Sequence, residues 1–170
     1  MTKIERALLA ATAVAVIGIA PARADDAAAL QEVKDRAAIE ALMWKYVRAL
    51  DSLDADAYAA AFTADGQFGS GQNSEKGTAE LKGMIDGLKK TNAERAAKGE
   101  ATPAMYHVVM NHTISFIDKD HARYDAYWTT MFAAAKQGDP ARVAAVGRSV
   151  DMLVRQNGQW LIQTRDVAPK

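Results

Sequence analysis

Cysteine is absent from the sequence, so neither disulfide bonds nor thiol chemistry can contribute to folding or catalysis. There is no excess of positive charge either, because 21 basic and 21 acidic side chains balance. Nucleic-acid-binding domains usually show a basic stripe and a high pI, so we expect no nucleic-acid partner. A Gly-rich phosphate loop and a G-x-S-x-G nucleophile motif are also missing, which argues against both kinds of active site.

An uncharged and mostly apolar stretch lies near the N-terminus, at positions 7–20. Basic residues precede it, and the small side chains of Ala22 and Ala24 follow it, as a signal peptidase requires. A membrane anchor is the alternative, but these 14 residues fall short of the roughly 20 that span a bilayer as a helix. We predict a cleaved secretory signal peptide at 1–24, a periplasmic or secreted protein, and no membrane attachment after cleavage.

Removal of residues 1–24 takes away three of the 21 basic side chains and one of the 21 acidic ones, leaving 18 and 20. This slight acidity again gives no electrostatic reason to expect nucleic acid as a partner. The remaining stretch is long enough to bury a hydrophobic core and has the usual size of one domain. We therefore predict a single domain over 25–170.

The first half of this domain has helical periodicity. Apolar residues recur at helical spacing within 26–50, a stretch without Gly or Pro. Asp54 is a candidate N-cap for a short second helix that runs through Tyr58 and Phe62. Asp65-Gly66 predicts a turn, the Gly-rich stretch 69–77 a loop, and 78–98 a third helix.

The second half alternates with the period of β-strands. The pattern predicts strands at 105–117, 122–133, 143–156 and 159–168, and the Asn157-Gly158 pair between the last two is a strong hairpin signal. Helices followed by an antiparallel sheet are typical of an α+β fold. Such a sheet can curl around the helices into a cone with an internal pocket.

His107 and Asn111 share one face of the first long strand if the alternation is regular, with Val109 between them. Two polar residues in such a row fit a pocket that holds a base and a hydrogen-bonding group. The alternative is a solvated face, which would leave Tyr106, Val108, Met110, Ile114 and Phe116 as the core face. Alternation alone does not decide between them.

Asp51 is the second candidate, because it follows directly on the apolar helix that contains Tyr46. A carboxylate that faces inward beside a histidine would orient the imidazole as a base. The alternative is a helix-terminal Asp that bonds its own turn. Trp128 and Tyr124 could line a pocket or fill the core, and Asp151 lies on one face of the third strand.

A metal site is not expected. His107, His112 and His121 are separated by 5 and 9 residues, which matches no compact zinc motif. Regular alternation also places His112 on the face opposite His107. We expect His112 and His121 to be exposed or structural.

The sequence resembles the SnoaL-like domains of the nuclear transport factor 2-like superfamily over nearly all of 30–168. The resemblance rests on the order and spacing of these segments: DRAAIEAL at 35–42, Tyr46, ALDSLD at 49–54, FTADG at 62–66, HVVMN at 107–111, Gly147-x-x-x-Asp151, Gly158-x-Trp160-x-Ile162 and Arg165. It implies a cone-shaped α+β fold whose pocket lies between a curved sheet and the N-terminal helices. Enzymes of this superfamily include scytalone dehydratase, hexachlorocyclohexane dehydrochlorinase and bile-acid dehydratase.

In these enzymes an Asp–His pair removes a proton, and Asp51 and His107 occupy the matching positions. The resemblance therefore implies a cofactor-independent lyase or isomerase that acts on a small apolar molecule. We expect the substrate to contact Tyr46, Tyr58, Asn111, Trp128 and Asp151. A non-catalytic domain that binds small ligands or forms dimers is the alternative, because fold does not settle function. A homodimer formed through the outer face of the sheet is also expected.

Overall fold

The computed structural model describes residues 24–169, so the predicted signal peptide at 1–24 lies outside the described part of the chain except for its last residue. Three helices and six strands follow in this order: α1 Ala24–Asp51, α2 Ala55–Ala59, β1 Phe62–Phe68, β2 Glu75–Lys76, α3 Gly77–Ala97, β3 Met105–Phe116, β4 His121–Phe132, β5 Arg142–Gln156 and β6 Gln159–Asp166. A single 3-10 turn, Gly71–Asn73, precedes β2. No helix between residues 24 and 169 combines the length and the apolar character needed to cross a bilayer.

The strands form one curved, unclosed sheet in the order β2-β1-β6-β5-β4-β3. All neighbours are antiparallel except β1 and β6, which run parallel. The core joins the apolar side of α1 to the concave face of this sheet, and its most buried aliphatic side chains are Ile39, Leu81, Ile85, Leu153 and Ile162. The α+β cone expected from the sequence is confirmed.

Local sequence signals explain where α2 and α3 begin and where the last hairpin turns. Asp54 caps α2, because its carboxylate accepts a hydrogen bond from the backbone N–H of Ala57 at 3.0 Å. Gly77 begins α3 with a φ of 79°, a left-handed conformation that glycine adopts without strain. The Asn157-Gly158 hairpin is confirmed, with φ of 51° and 78° at its two residues.

The expectation of a helix through Phe62 and a turn at Asp65-Gly66 was wrong, because Phe62 to Phe68 form strand β1. The register of β1 against β6 shifts between Phe62 and Gln67. Gly66 makes this irregularity possible, since a Cβ there would lie 2.8 Å from the Cβ of Phe62. The glycine therefore serves close packing inside a strand and not a reversal of the chain.

Strand β3 contains a bulge that regular alternation does not predict. Its register against β4 shifts between Met110 and Thr113, and Asn111 has a φ of 52°. The extra residue reverses the alternation, so His107 and His112 face the same cavity. Asn111 is exposed at the bulge and does not lie beside His107, which corrects the prediction from regular alternation.

Candidate active site

Asp51, the last residue of α1, contacts His107, the third residue of the edge strand β3. Asp51 Oδ1 lies 2.7 Å from His107 Nδ1. The same carboxylate accepts hydrogen bonds from the backbone N–H of His107, at 3.0 Å to Oδ1 and 3.2 Å to Oδ2. Both side chains are 17% exposed. The carboxylate therefore holds the ring and the backbone of the same residue.

These hydrogen bonds determine which ring nitrogen is available for chemistry. A carboxylate accepts but does not donate, so Nδ1 of His107 carries a proton toward Asp51. In the neutral ring Nε2 is then an unprotonated acceptor. A base of this form needs a carbon acid within hydrogen-bond reach of Nε2.

A large cavity of about 880 Å³ opens in front of His107, between α1 and the edge strand β3. Its walls are mostly apolar and aromatic, with Met43, Val47 and Phe132 among them. The charged side chains Glu40, Arg48 and Asp51 also line it. This volume and lining suit a small, largely apolar ligand.

A second, smaller cavity of about 120 Å³ lies on the other side of the same histidine, inside the cone. His107, Val47 and Val109 line both cavities, so the imidazole stands where the two meet. Tyr46 and Trp128 belong to the wall of the inner cavity. Arg165 supplies the positive charge in that wall.

Arg165 is held in place by buried contacts. It pairs with Asp151 across strands β5 and β6, and the two residues are 3% and 0% exposed. Its guanidinium also lies over the ring of Tyr46, at 4.6 Å from the centroid. Burial raises the pKa of Asp151 above its ordinary value, and the neighbouring Arg165 opposes this rise. Asp151 therefore anchors Arg165 and does not itself line either of these two cavities.

Tyr58 lies behind Tyr46 in an aromatic cluster and lines neither cavity. The ring centroids of Tyr46 and Tyr58 are 5.2 Å apart, and Phe62 packs against both. Burial raises the pKa of each tyrosine, so both remain neutral phenols. Four buried polar atoms in this part of the cone lack a hydrogen-bond partner among residues 24–169: Tyr58 Oη, Ser149 Oγ, Asp151 Oδ1 and Arg165 Nε.

Trp128 forms one wall of the inner cavity and is fixed by two features. Its Nε1–H donates to the carbonyl of Val167 at 3.1 Å. The ring lies against Gly147, its partner on β5, where a Cβ would come within 2.5 Å of Trp128 Cζ2. The tryptophan ring therefore leaves room only for a glycine at position 147.

The family model of the SnoaL-like domain matches residues 31–166. This chain belongs to the SnoaL-like domain family. The family resemblance seen in the sequence is thereby confirmed. Comparison with functionally curated proteins gives no significant match.

Several solved structures share the fold of this SnoaL-like domain. A nuclear transport factor 2-like protein with a cystatin-like fold from Novosphingobium aromaticivorans has a TM-score of 0.70 and 22% identity, covering 88% of this chain and 91% of that one. A proposed scytalone dehydratase from the same organism has a TM-score of 0.65 and 21% identity, covering 82% and 86%. LinA has a TM-score of 0.66 and 16% identity, covering 82% and 88%. Identities this low establish a common fold.

The SnoaL-like domain has a second histidine–carboxylate pair in its large cavity. His112 Nε2 lies 3.3 Å from Glu40 Oε1, and its ring stacks on Tyr124 with centroids 5.2 Å apart and planes 11° from parallel. Unbroken alternation predicted His112 on the opposite face, and the bulge in β3 makes that prediction wrong. Asn111 offered a signal, since asparagine tolerates the left-handed conformation that bulges often need.

His121, the third histidine of the SnoaL-like domain, lies outside both cavities. It pairs with Asp118 in the β3–β4 hairpin at 2.9 Å and is about half exposed. Within residues 24–169, no three His, Cys, Asp or Glu side chains are grouped closely enough to hold a metal ion.

Proposed function

We propose that this SnoaL-like domain is a cofactor-independent lyase or isomerase that removes a proton from carbon in a small, largely apolar molecule. The observation that carries the proposal is the 2.7 Å contact between Asp51 and His107 at the junction of the two cavities. A histidine oriented in this way, beside an apolar volume, has the arrangement of a general base.

In the proposed reaction the apolar body of the substrate occupies the large cavity and a carbonyl-type oxygen enters the inner one. Nε2 of His107 takes a proton from the carbon next to that carbonyl, and the electron pair of the C–H bond moves toward the oxygen. Asp51 stabilises the imidazolium that forms, and Arg165 faces the developing negative charge. Return of the proton at another carbon gives an isomer, while departure of a neighbouring leaving group gives an alkene.

Structural relatives support this class of reaction. A proposed scytalone dehydratase and LinA, a dehydrochlorinase, share the fold. Dehydration and dehydrochlorination are both eliminations in which a proton is removed from carbon.

Hydrogen–deuterium exchange of a carbon acid tests the proposal without knowledge of the natural substrate. We choose 2-tetralone, a bicyclic ketone with acidic protons next to its carbonyl, and follow the loss of those proton signals in D2O by NMR. The wild-type protein should accelerate exchange over the buffer rate. Since a positioned base contributes about 10²–10⁴-fold, His107→Ala should lower the protein-dependent rate about 100-fold or more. Asp51→Asn should lower it about tenfold or more.

The matched control is His121→Ala, which removes another histidine paired with an aspartate, but outside both cavities. It should leave the exchange rate unchanged. Equal rates for wild type and His107→Ala would reject the assignment of His107 as the base. Binding of 2-tetralone by a wild-type protein that exchanges at the buffer rate would favour the alternative, a domain that only binds ligands.

The proposal includes export and self-association. Residues 1–24 have the composition of a secretory signal peptide, so N-terminal sequencing of the periplasmic protein should find a start near Asp25. The outer face of β3, β4 and β5 carries exposed apolar side chains, among them Met110, Tyr127, Val143 and Val146. Because monomers rarely expose such a contiguous patch, we include a homodimer through this face in the proposal.

A further inference from the structure

The His112–Glu40 pair lies in the large cavity, apart from the proposed base. We propose that this pair binds a hydroxyl group, or another hydrogen-bond donor, on the far end of the substrate's apolar body. The inference rests on the proposed function, because it takes the large cavity as the place where that body lies. It adds a chemical requirement that the Asp51–His107 pair does not impose.

The second pair has a fixed orientation in the cavity. The bulge at Asn111 brings His112 to the same cavity as His107. Its ring is fixed on one side by the nearly parallel ring of Tyr124, which is 3% exposed. Burial raises the pKa of Tyr124 to about 12, so this supporting ring stays neutral.

The His112–Glu40 pair presents hydrogen-bond acceptors to a ligand. Glu40 accepts the Nε2–H of His112, so Nδ1 of the neutral ring is left as an acceptor. The second carboxylate oxygen of Glu40 is a further acceptor. Two acceptors and a negative charge recognise a donor such as a hydroxyl and disfavour a carboxylate on the ligand. Arg48, a basic residue of the same cavity, lies over the ring of Trp44 at 5.7 Å.

The separation of the two pairs sets the length of a ligand that contacts both. Glu40 and Asp51 are 11 positions apart on α1, which corresponds to about 16 Å along a helix axis. His107 and His112 are five positions apart on β3, at most about 17 Å along a strand and less across a bulge. Both elements therefore give a similar spacing. A molecule that reaches from one pair to the other must be elongated, on the scale of two or three linked rings.

Three biphenyl ketones test this requirement as probes: 4-acetyl-4′-hydroxybiphenyl, its 4′-methoxy analogue and unsubstituted 4-acetylbiphenyl. All three carry a carbonyl at one end, and only the first carries a donor at the other. Affinities are measured by isothermal titration calorimetry at one fixed pH for all three probes. Since the pair is partly exposed, one hydrogen bond should make the hydroxy probe bind about fivefold more tightly than the other two.

His112→Phe keeps a ring that can stack on Tyr124 but removes the nitrogen, so it should reduce the fivefold preference to about one. Glu40→Ala changes an exposed residue of α1, so this variant should fold even if His112→Phe folds poorly. It should reduce the preference at least twofold. The controls are His121→Phe and Glu32→Ala, a histidine and a helix glutamate that line neither described cavity around His107. Both should keep the full preference.

Two results would overturn the inference. One is the absence of any preference for the hydroxy probe in the wild-type protein, whether all three probes bind alike or none binds. The other is an unchanged preference in Glu40→Ala together with a folded His112→Phe. Neither result affects the exchange test at His107, so failure of this inference can be told apart from failure of the proposed function.

Discussion

Arg165 owes its position in the inner cavity to one buried partner. The guanidinium is 3% exposed and its pair Asp151 is 0% exposed, so neither charge is compensated by water. Removing one member of such a pair is expected to cost more than removing both, because an unpaired buried charge is left behind. Asp151 therefore acts on the site through Arg165.

We predict that Asp151→Ala lowers the free energy of unfolding by about 3–5 kcal/mol, measured by urea denaturation. The double variant Asp151→Leu with Arg165→Met should recover most of that loss, because similar volumes are kept without a charge. It should still exchange 2-tetralone more slowly than wild type, since no positive group faces the developing oxygen charge. A double variant as unstable as the single one would contradict this account of the pair.

At the scale of single residues, Asp51 and His107 could be identified because their positions follow from an element end and from a family resemblance. Arg165 belonged to the same resemblance, but its place in the cavity wall could not be predicted. A charged residue in a strand is usually exposed, and only the register of β5 against β6 brings it to Asp151. The prediction for Asn111 was wrong for a different reason. One bulge reverses the alternation on which that prediction depended.

Helix α1 is fastened to the β5–β6 hairpin by a second aspartate. Asp35 accepts hydrogen bonds from Arg155 at 2.5 Å, from Trp160 at 3.2 Å and from Gln31 at 3.1 Å. Burial alone would raise the pKa of Asp35, but these three donors and the charge of Arg155 outweigh it and hold the pKa below its usual value. The ionised form is thus favoured in the folded state.

The lowered pKa of Asp35 determines how this residue makes stability depend on pH. A carboxyl with a lowered pKa stabilises the fold above its unfolded pKa of about 3.9, and this contribution is lost as the pH falls through the folded value. We predict that Asp35→Asn is less stable than wild type at neutral pH and that the difference shrinks below about pH 4. Thermal unfolding across that range measures it. Asp56→Asn, at an exposed aspartate paired with Lys82, should change stability much less.

At the scale of elements, three helices and the four long strands of the second half could be predicted from periodicity and capping. Strand β1 could not, because seven residues around Asp65-Gly66 carry a turn signal that packing overrides. Its neighbour β2 has only two residues and gains its identity from pairing with β1. Short elements of this kind depend on tertiary contacts that a local pattern does not contain.

The proposed dimer face belongs to the whole molecule, because it combines side chains of three strands. Val146 is 70% exposed and lies opposite Thr129 on the adjacent strand, so a charge there should not disturb the core. We predict a dimer by light scattering at micromolar concentration and a monomer for Val146→Lys. Val33→Lys, at a 63% exposed position on α1, should remain dimeric. A monomeric wild-type protein would reject the dimer.

For the molecule as a whole, the α+β class and the cone could be predicted, but the division of its interior could not. Cavity volumes depend on how aromatic side chains fill the space between helix and sheet. Tyr46, Trp128 and Arg165 line a small inner space, and His107 stands between it and a large outer one. No strand pattern specifies that partition.

The contact between Gly147 and Trp128 offers a way to resize the inner space from a distance. A methyl group at 147 would overlap the indole ring. Any larger residue there therefore requires that Trp128 moves or is replaced by a smaller side chain. The double replacement Gly147→Ala with Trp128→Phe would add a methyl group on β5 and make the ring at 128 smaller. Free volume would then open beside His107. The size of the oxygen-bearing group that enters could then be adjusted in laboratory evolution while the base and its aspartate stay untouched.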